Sequence, residues 1–307
     1  MIYEYALDPK LIIKWATDKK DCRYFNEKFG IGKSRLICEY PREAFHKQFE
    51  DELKNIENDM QKTRALELYR SIASKTIKRE LSKYENNLSW LENADKEHNR
   101  CKFHAILACS NPQNNENIID GLNFDEKHSR WKLESGKVII KKAKDIADTL
   151  AEMLKNAESV IFIDPYFEAT IDRFQKTYEL FFEKFTLQCR NSYPPRIEIH
   201  ASTKRNPYSY TSFKKNCEQM KAYIPKNLTV TFKVWRRMSK GPDLHNRYIL
   251  TDLGGILLGH GTDEGKKGYI DDINLLASEQ YSTHWRNYIS QPVFILDGPA
   301  FKIIGNR

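Results

Sequence analysis

The stretch Leu244-His245-Asn246-Arg247-Tyr248-Ile249-Leu250-Thr251-Asp252 joins three chemically active side chains to an apolar run, and Gly254-Gly255-Ile256-Leu257-Leu258-Gly259-His260-Gly261 follows it. Along an extended strand, side chains alternate between faces, so His245 and Arg247 point to the same side. A neutral imidazole beside a permanent cation suits attack on phosphorus. The ring nitrogen forms the bond to phosphorus while the guanidinium holds the phosphate oxygens. A carboxylate nearby can orient the imidazole. His245, Arg247 and Asp252 are therefore the candidate catalytic residues.

Such residues need a rigid sheet edge, and the surrounding pattern predicts one. Apolar runs at 159–167, 196–203, 228–235, 246–252 and 254–261 read as strands, with Gly254-Gly255 as a hairpin turn. Between them, 168–190 and 211–224 read as helices. A helix bearing Ile146, Leu150, Met153 and Leu154 on one face precedes them, and a helix around 274–289 and the strand Pro292–Gly298 end the series. The alternation predicts an α/β sandwich with a mixed sheet over residues 136–307. Ligand sites in such sheets sit at the C-terminal strand ends. That rule adds His200 and Lys204 as pocket candidates, beside His260 from the strand next to the motif and Tyr166 after the first strand. Asp164-Pro165 reads mainly as a strand-ending turn. Asp263, Glu264, Asp271 and Asp272 match no ligand spacing, so they read as a solvated loop and no metal or other cofactor is expected.

Residues 1–135 read as a mostly helical region. Asp8-Pro9 is a helix start, with Asp as cap and Pro in the first turn. Gly32-Lys33-Ser34 lacks the upstream glycine of a phosphate-binding loop, because Glu27 stands there, so it reads as a turn. From about 41 to 92 apolar residues recur at helical spacing, beginning with Phe45, Phe49, Leu53, Ile56 and Met60 and continuing from Leu66 to Leu91. This predicts one long helix, or a hairpin broken near Gln61–Thr63. An amphipathic face of that length could dimerise, dock further protein subunits, or pack on its own domain. Phe103–Cys109 is a strand candidate, and an Asn-rich surface connection follows it.

The chain has 307 residues and a net charge of +8, and the charge is not evenly spread. Between His200 and Leu250, eleven Lys and Arg face only Glu218 and Asp243, a net of +9 for that segment. A polyanion is the natural partner of such a segment, since phosphate contacts release counterions. Lys204, Arg205, Trp235, Arg236, Arg237 and Lys240 are the candidate nucleic-acid-binding residues, combining cations with a stacking surface. The Met-Ile-Tyr-Glu-Tyr start has no signal-peptide pattern and no apolar run suffices to span a membrane. The six cysteines show no C-x-x-C pair. A cytoplasmic protein with reduced thiols, not engaged with membrane, is expected.

His245-Asn246-Arg247-Tyr248-Ile249-Leu250-Thr251-Asp252 resembles the H-x-K-x-x-x-x-D signature of the phospholipase D superfamily, with Arg in place of Lys. The order of elements over 159–261 and the Ile163–Phe167 stretch are also similar to single-motif phospholipase D-like domains, and the likeness covers about 136–297. It implies a phospholipase D-like α/β sandwich and phosphodiester chemistry through a phosphohistidine, without metal. Asp252 would take the structural acidic position. The departures are Arg247 itself, Gly259-His260-Gly261-Thr262 where the family has Gly-Ser-x-Asn, and the single motif. His98-Asn99-Arg100 repeats three letters, but Ala105 stands where Asp belongs. One motif implies a homodimer with a shared site, or a binding module without catalysis. The leading expectation is a metal-independent nuclease acting on DNA or RNA, in a bacterial antiviral defence setting that rests on the resemblance. The other is a non-catalytic nucleic-acid or phosphate-binding module of a larger assembly.

Overall fold

The computed structural model describes residues 1–42, 44–185, 190–202 and 209–307. The chain divides into two compact units, one built mainly on Ile2–Glu134 and the other on Ser135–Arg307.

The N-terminal unit is not mostly helical. It runs β1 (Tyr3–Leu7), α1 (Pro9–Thr17), α2 (Lys19–Asn26), β2 (Arg35–Glu39), α3 (Phe45–Lys54), α4 (Asp59–Ile72), β3 (Thr76–Lys78), α5 (Trp90–Arg100), β4 (Ala105–Ala108) and β5 (Ile118–Asp120). The strands form a parallel sheet in the order β3-β2-β1-β4-β5. Asp8 caps α1, accepting from the Lys10 amide at 3.0 Å, with Pro9 in the first turn as its sequence implies.

Residues 41–92 hold α3, α4, β3 and the start of α5, so the stretch is not one long helix, and the break between its two helices falls at 55–58 and not at Gln61–Thr63. α3 ends at Lys54, and Asn58 caps α4 by accepting from the Gln61 amide at 3.1 Å. The five-residue step from Ile72 to Ile77 marks the change from α4 to β3, and Ile77 is buried there. Phe45, Phe49, Leu53, Leu68 and Ile72 face the unit's own core, packed with Trp15, Phe25 and Tyr5. These members of the stripe are covered by their own unit, whereas Met60 is 71% exposed. A buried ion cluster closes the other face, with Arg79 bonded to Glu4 (2.6 and 2.9 Å) and to Glu97 (2.9 Å). His98 and Arg100 lie on α5, with His98 buried and Arg100 paired to Glu97, so the partial repeat is not at a strand edge.

The C-terminal unit is mixed α/β, built on one mixed sheet. It runs β6 (Gly136–Ile140), α6 (Ala143–Asn156), β7 (Ser159–Ile163), α7 (Asp172–Glu183), β8 (Arg196–Ser202), α8 (Tyr210–Cys217), β9 (Thr229–Arg236), β10 (Arg247–Thr251), β11 (Gly254–Leu258), β12 (Ile270–Leu275), α9 (Ser278–Trp285), β13 (Ile295–Leu296) and β14 (Phe301–Ile304). Strand order is β13-β9-β8-β7-β10-β11-β12-β6, and β14 also pairs with β9. β7, β8 and β9 are parallel, and β10, β11, β12 and β6 continue antiparallel. The 3.6-residue stripes pack as their spacing predicts: Ile146, Leu150, Met153 and Leu154 of α6 are buried, as are Phe174, Tyr178, Phe181 and Phe182 of α7. Phe162 of β7 stacks on Phe181 at 5.1 Å.

Two strands differ from the sequence reading. Ile270–Leu275 is a paired strand and not a solvated loop, and β6 forms the sheet edge beside it. The β10–β11 hairpin turns through Asp252-Leu253, with Thr251 opposite Gly254. A Cβ at Gly255 would meet the side-chain ends of Leu276 at 2.7 Å and Leu250 at 2.8 Å, so both leucines would have to shift to admit one. Cys22, Cys38, Cys109 and Cys217 are free thiols, whereas Cys101 is disulfide-bonded, contrary to the expectation of uniformly reduced cysteines. Among the described residues, no helix is long and apolar enough to cross a membrane.

Candidate active site

The antiparallel pairing of β10 with β7 sets Tyr248 opposite Ile163, so the residues before β10 lie beside those after β7. This juxtaposition brings His245 to Tyr166. His245 is exposed, and its Nδ1 is 3.1 Å from the Tyr166 hydroxyl. Arg247 lies over the same tyrosine ring, its guanidinium carbon 4.4 Å from the centroid. One aromatic ring therefore positions both members of the pair that the sequence placed two residues apart.

Beneath them is Asp164, which is 1% exposed. Its carboxylate accepts from the Thr262 amide (2.8 Å), the Thr262 hydroxyl (2.9 Å) and the Tyr166 amide (3.0 Å). Burial pushes its carboxyl above the ordinary value, against the bonds from Thr262 and Tyr166 and the charge of Arg247. Arg247 Nε is 4.0 Å from Asp164, and this buried nitrogen has no hydrogen-bond partner among the described residues. The arginine is thus held by charge and by the tyrosine face, with a donor still unused. Asp164 ends β7 in a turn, as the sequence implies, and is also the floor of the site.

The segment after β11 closes one side. Gly261 has φ +111°, and a Cβ there would lie 3.0 Å from Asp263 and 3.2 Å from Asp164. Asp263 binds Lys141 Nζ (2.9 Å) and Arg173 Nε (2.7 Å), while Lys141 also donates to the His260 carbonyl (3.0 Å). His260 projects into solvent, with its Nδ1 3.1 Å from buried Asp271. Nothing in the sequence separates Asp263 and Asp271 from an ordinary acidic loop except the pairing of Ile270–Leu275 as a strand. A pocket of about 450 Å³ opens beside His260, lined by Lys141, Arg173, Glu264, Lys266 and Tyr269 among others.

Other candidates fall elsewhere. Asp252 stands at the opposite end of β10 from His245, where it accepts from the Glu158 (2.8 Å) and Ser159 (3.0 Å) amides. Seven residue steps separate His245 from Asp252, roughly 23 Å along extended chain at the usual rise. Its work is to fix the start of β7, and it cannot orient His245. His200 is fully buried, with Nε2 2.7 Å from Glu198, so it is interior and does not line an open pocket. Trp235 is buried edge-on to His200 at 5.6 Å and offers no stacking face. Arg236, Arg237 and Lys240 are exposed, and Lys204 and Arg205 lie outside the described residues.

The buried His200 has a pH consequence. Burial lowers its proton affinity despite Glu198, with Lys233 and Arg196 acting in the same direction as burial. The unfolded chain then takes up a proton in acid before the folded one does. This contribution is complete above the ordinary histidine value of about 6.5 and is lost as pH falls from there toward the lowered folded value. His98 and His284 are shifted the same way by burial. Urea midpoints measured from pH 8 to pH 5 are expected to fall below about pH 6.5, and less steeply in His200→Gln. A flat profile in the wild type would show that these rings are not buried neutral.

No family model matches the chain, and no curated protein or solved structure matches it either.

Proposed function

We propose that the C-terminal unit is a phosphodiesterase acting on nucleic acid, with His245 as nucleophile. The observation that carries this reading is the grouping of His245, Tyr166 and Arg247 at the adjoining ends of β7 and β10, with Arg247 Nε making no hydrogen bond among the described residues. In the tautomer whose Nδ1–H donates to Tyr166, His245 Nε2 keeps its lone pair and attacks phosphorus. Arg247 neutralises the phosphate oxygens as charge builds on them. The likeness to the phospholipase D superfamily supports the same chemistry, a route that requires no metal. It also supports a setting in bacterial antiviral defence. Chemistry of this kind needs a second acid–base group, which either a second His245 in a homodimer or another residue of the same chain would supply.

Exposed Arg236, Arg237 and Lys240 favour a polynucleotide over a small diester. Changing Arg236 and Arg237 together to Gln is expected to lower the slope of log affinity against log salt by about 2 for duplex DNA, since each phosphate contact contributes roughly 0.9. An unchanged slope would remove these side chains from the interface. One observation favours the binding-module reading: the partner of His245 Nδ1 is a phenol and not a carboxylate. Cleavage of labelled single- and double-stranded DNA and RNA in EDTA separates the two. Wild-type cleavage that His245→Ala abolishes supports the enzyme, and salt-sensitive binding without cleavage supports the module.

A further inference from the structure

Histidine 260 is the feature of this edge that the phosphodiesterase reading leaves unused. The β10–β11 ladder ends with Arg247 opposite Leu258, and the chain then stays beside the site, because a Cβ on Gly261, the residue after His260, would lie 3.8 Å from Arg247 Nε. The imidazole side chain of His260 is 71% exposed, yet it is not free to turn. Its Nδ1 is 3.1 Å from Asp271 Oδ1, and the His260 amide donates to the same carboxylate at 3.0 Å. The Asp271 side chain is 1% exposed and also accepts from the Asp272 amide at 2.9 Å. Gly259 makes room for it, since a Cβ at that position would lie 2.6 Å from Asp271 Oδ1. A buried carboxylate fixed by backbone donors thus holds one ring nitrogen and leaves Nε2 turned outward, as the third member of a triad does. The Lys141 bond to the His260 carbonyl holds the backbone in the same place.

We propose that His260, oriented by Asp271, is the acid–base partner of His245, so that a single chain carries a complete site. The proposal rests on the phosphodiesterase reading. In the first step the His245 Nε2–phosphorus bond forms and the phosphorus–oxygen bond to the leaving group breaks. The departing oxygen takes the proton from His260 Nε2. In the second step a water molecule gives a proton to His260 Nε2 as its oxygen bonds to phosphorus, and the phosphorus–nitrogen bond breaks. Both histidines return to their starting states. The pocket beside His260 then receives the leaving side of the diester, with the exposed Tyr269 ring at its rim.

The test compares leaving groups. A sugar hydroxyl leaves poorly and needs a proton, whereas p-nitrophenolate leaves without one. Two substrates are followed with wild type, His260→Gln and His245→Ala: a labelled oligonucleotide, and bis(p-nitrophenyl) phosphate read as the first-turnover burst of nitrophenol. His260→Gln is expected to lose about 10²-fold or more on the oligonucleotide, the usual share of general acid–base catalysis, while its burst falls less than about tenfold. Equal losses on both substrates, or no loss on either, overturn the proposal while leaving His245 as nucleophile. An equimolar mixture of His260→Gln and His245→Ala is expected to stay inactive, and restored cleavage means that two chains share the site and overturns it as well. Absence of cleavage by wild type, or full activity in His245→Ala, removes the phosphodiesterase reading and this proposal with it.

Discussion

Replacing His245 by Ala is expected to reduce phosphodiester cleavage by at least about 10⁴-fold, the scale seen when a covalent nucleophile is removed from a site whose other groups survive. The ring is exposed and its hydrogen bond is to the Tyr166 hydroxyl, so its loss leaves the sheet packing intact. Nucleic-acid affinity is expected to remain within about threefold, because phosphate contacts from surface cations dominate binding. The variant therefore separates chemistry from binding. A residual rate near that of wild type would mean that another group attacks phosphorus.

The largest expected stability effect among the site residues belongs to Asp164→Ala. The carboxylate takes two bonds from Thr262 and one from the Tyr166 amide, and all lie at the buried root of the site. Removing it leaves the Thr262 amide without its acceptor and the Thr262 hydroxyl with only Tyr178, 3.1 Å away. Each buried group left unpaired costs about 1–3 kcal/mol, so a loss of about 3 kcal/mol is expected for the C-terminal unit. The loss is local before it is global. The 259–265 segment should show faster amide exchange, and cleavage should fall because Arg247 loses its counter-charge. Thr262→Val is expected to cost less, since it keeps the amide bond to Asp164. Exchange in 259–265 that matches wild type would mean that Lys141 and Arg173 hold the loop without Asp164.

His245, Arg247 and Tyr166 were legible because a strand repeats every two residues and Asp164-Pro165 ends β7 just beside them. Asp252 shows the limit of spacing along a strand: five residues fix its position on β10 but also carry it to the far end. Asp271 was missed because Ile270-Asp271-Asp272-Ile273-Asn274-Leu275 alternates imperfectly and its acidic pair reads as solvated. One of those two carboxylates instead points inward to hold His260. His200 and Trp235 are interior, and the sequence leaves this open because a strand-end side chain looks the same whether it opens to solvent or is buried against a neighbour, as His200 is against Glu198. In the N-terminal unit, strands of three to five residues such as Thr76–Lys78 are too short to show a period against the helices around them. Their burial in a parallel sheet also removes the apolar–polar alternation that marks a strand.

The central claim is a covalent bond between His245 and phosphorus, and trapping it is the most direct measurement. Wild type is mixed with a nucleic acid labelled in its phosphates with phosphorus-32, quenched in alkaline denaturant within the first turnover, and digested. The account predicts label on the peptide that contains His245, stable in base and released by acid as a phosphoramidate is, and absent in His245→Ala. Rapid cleavage with no labelled peptide at any quench time would contradict it, and would mean that water attacks the diester directly.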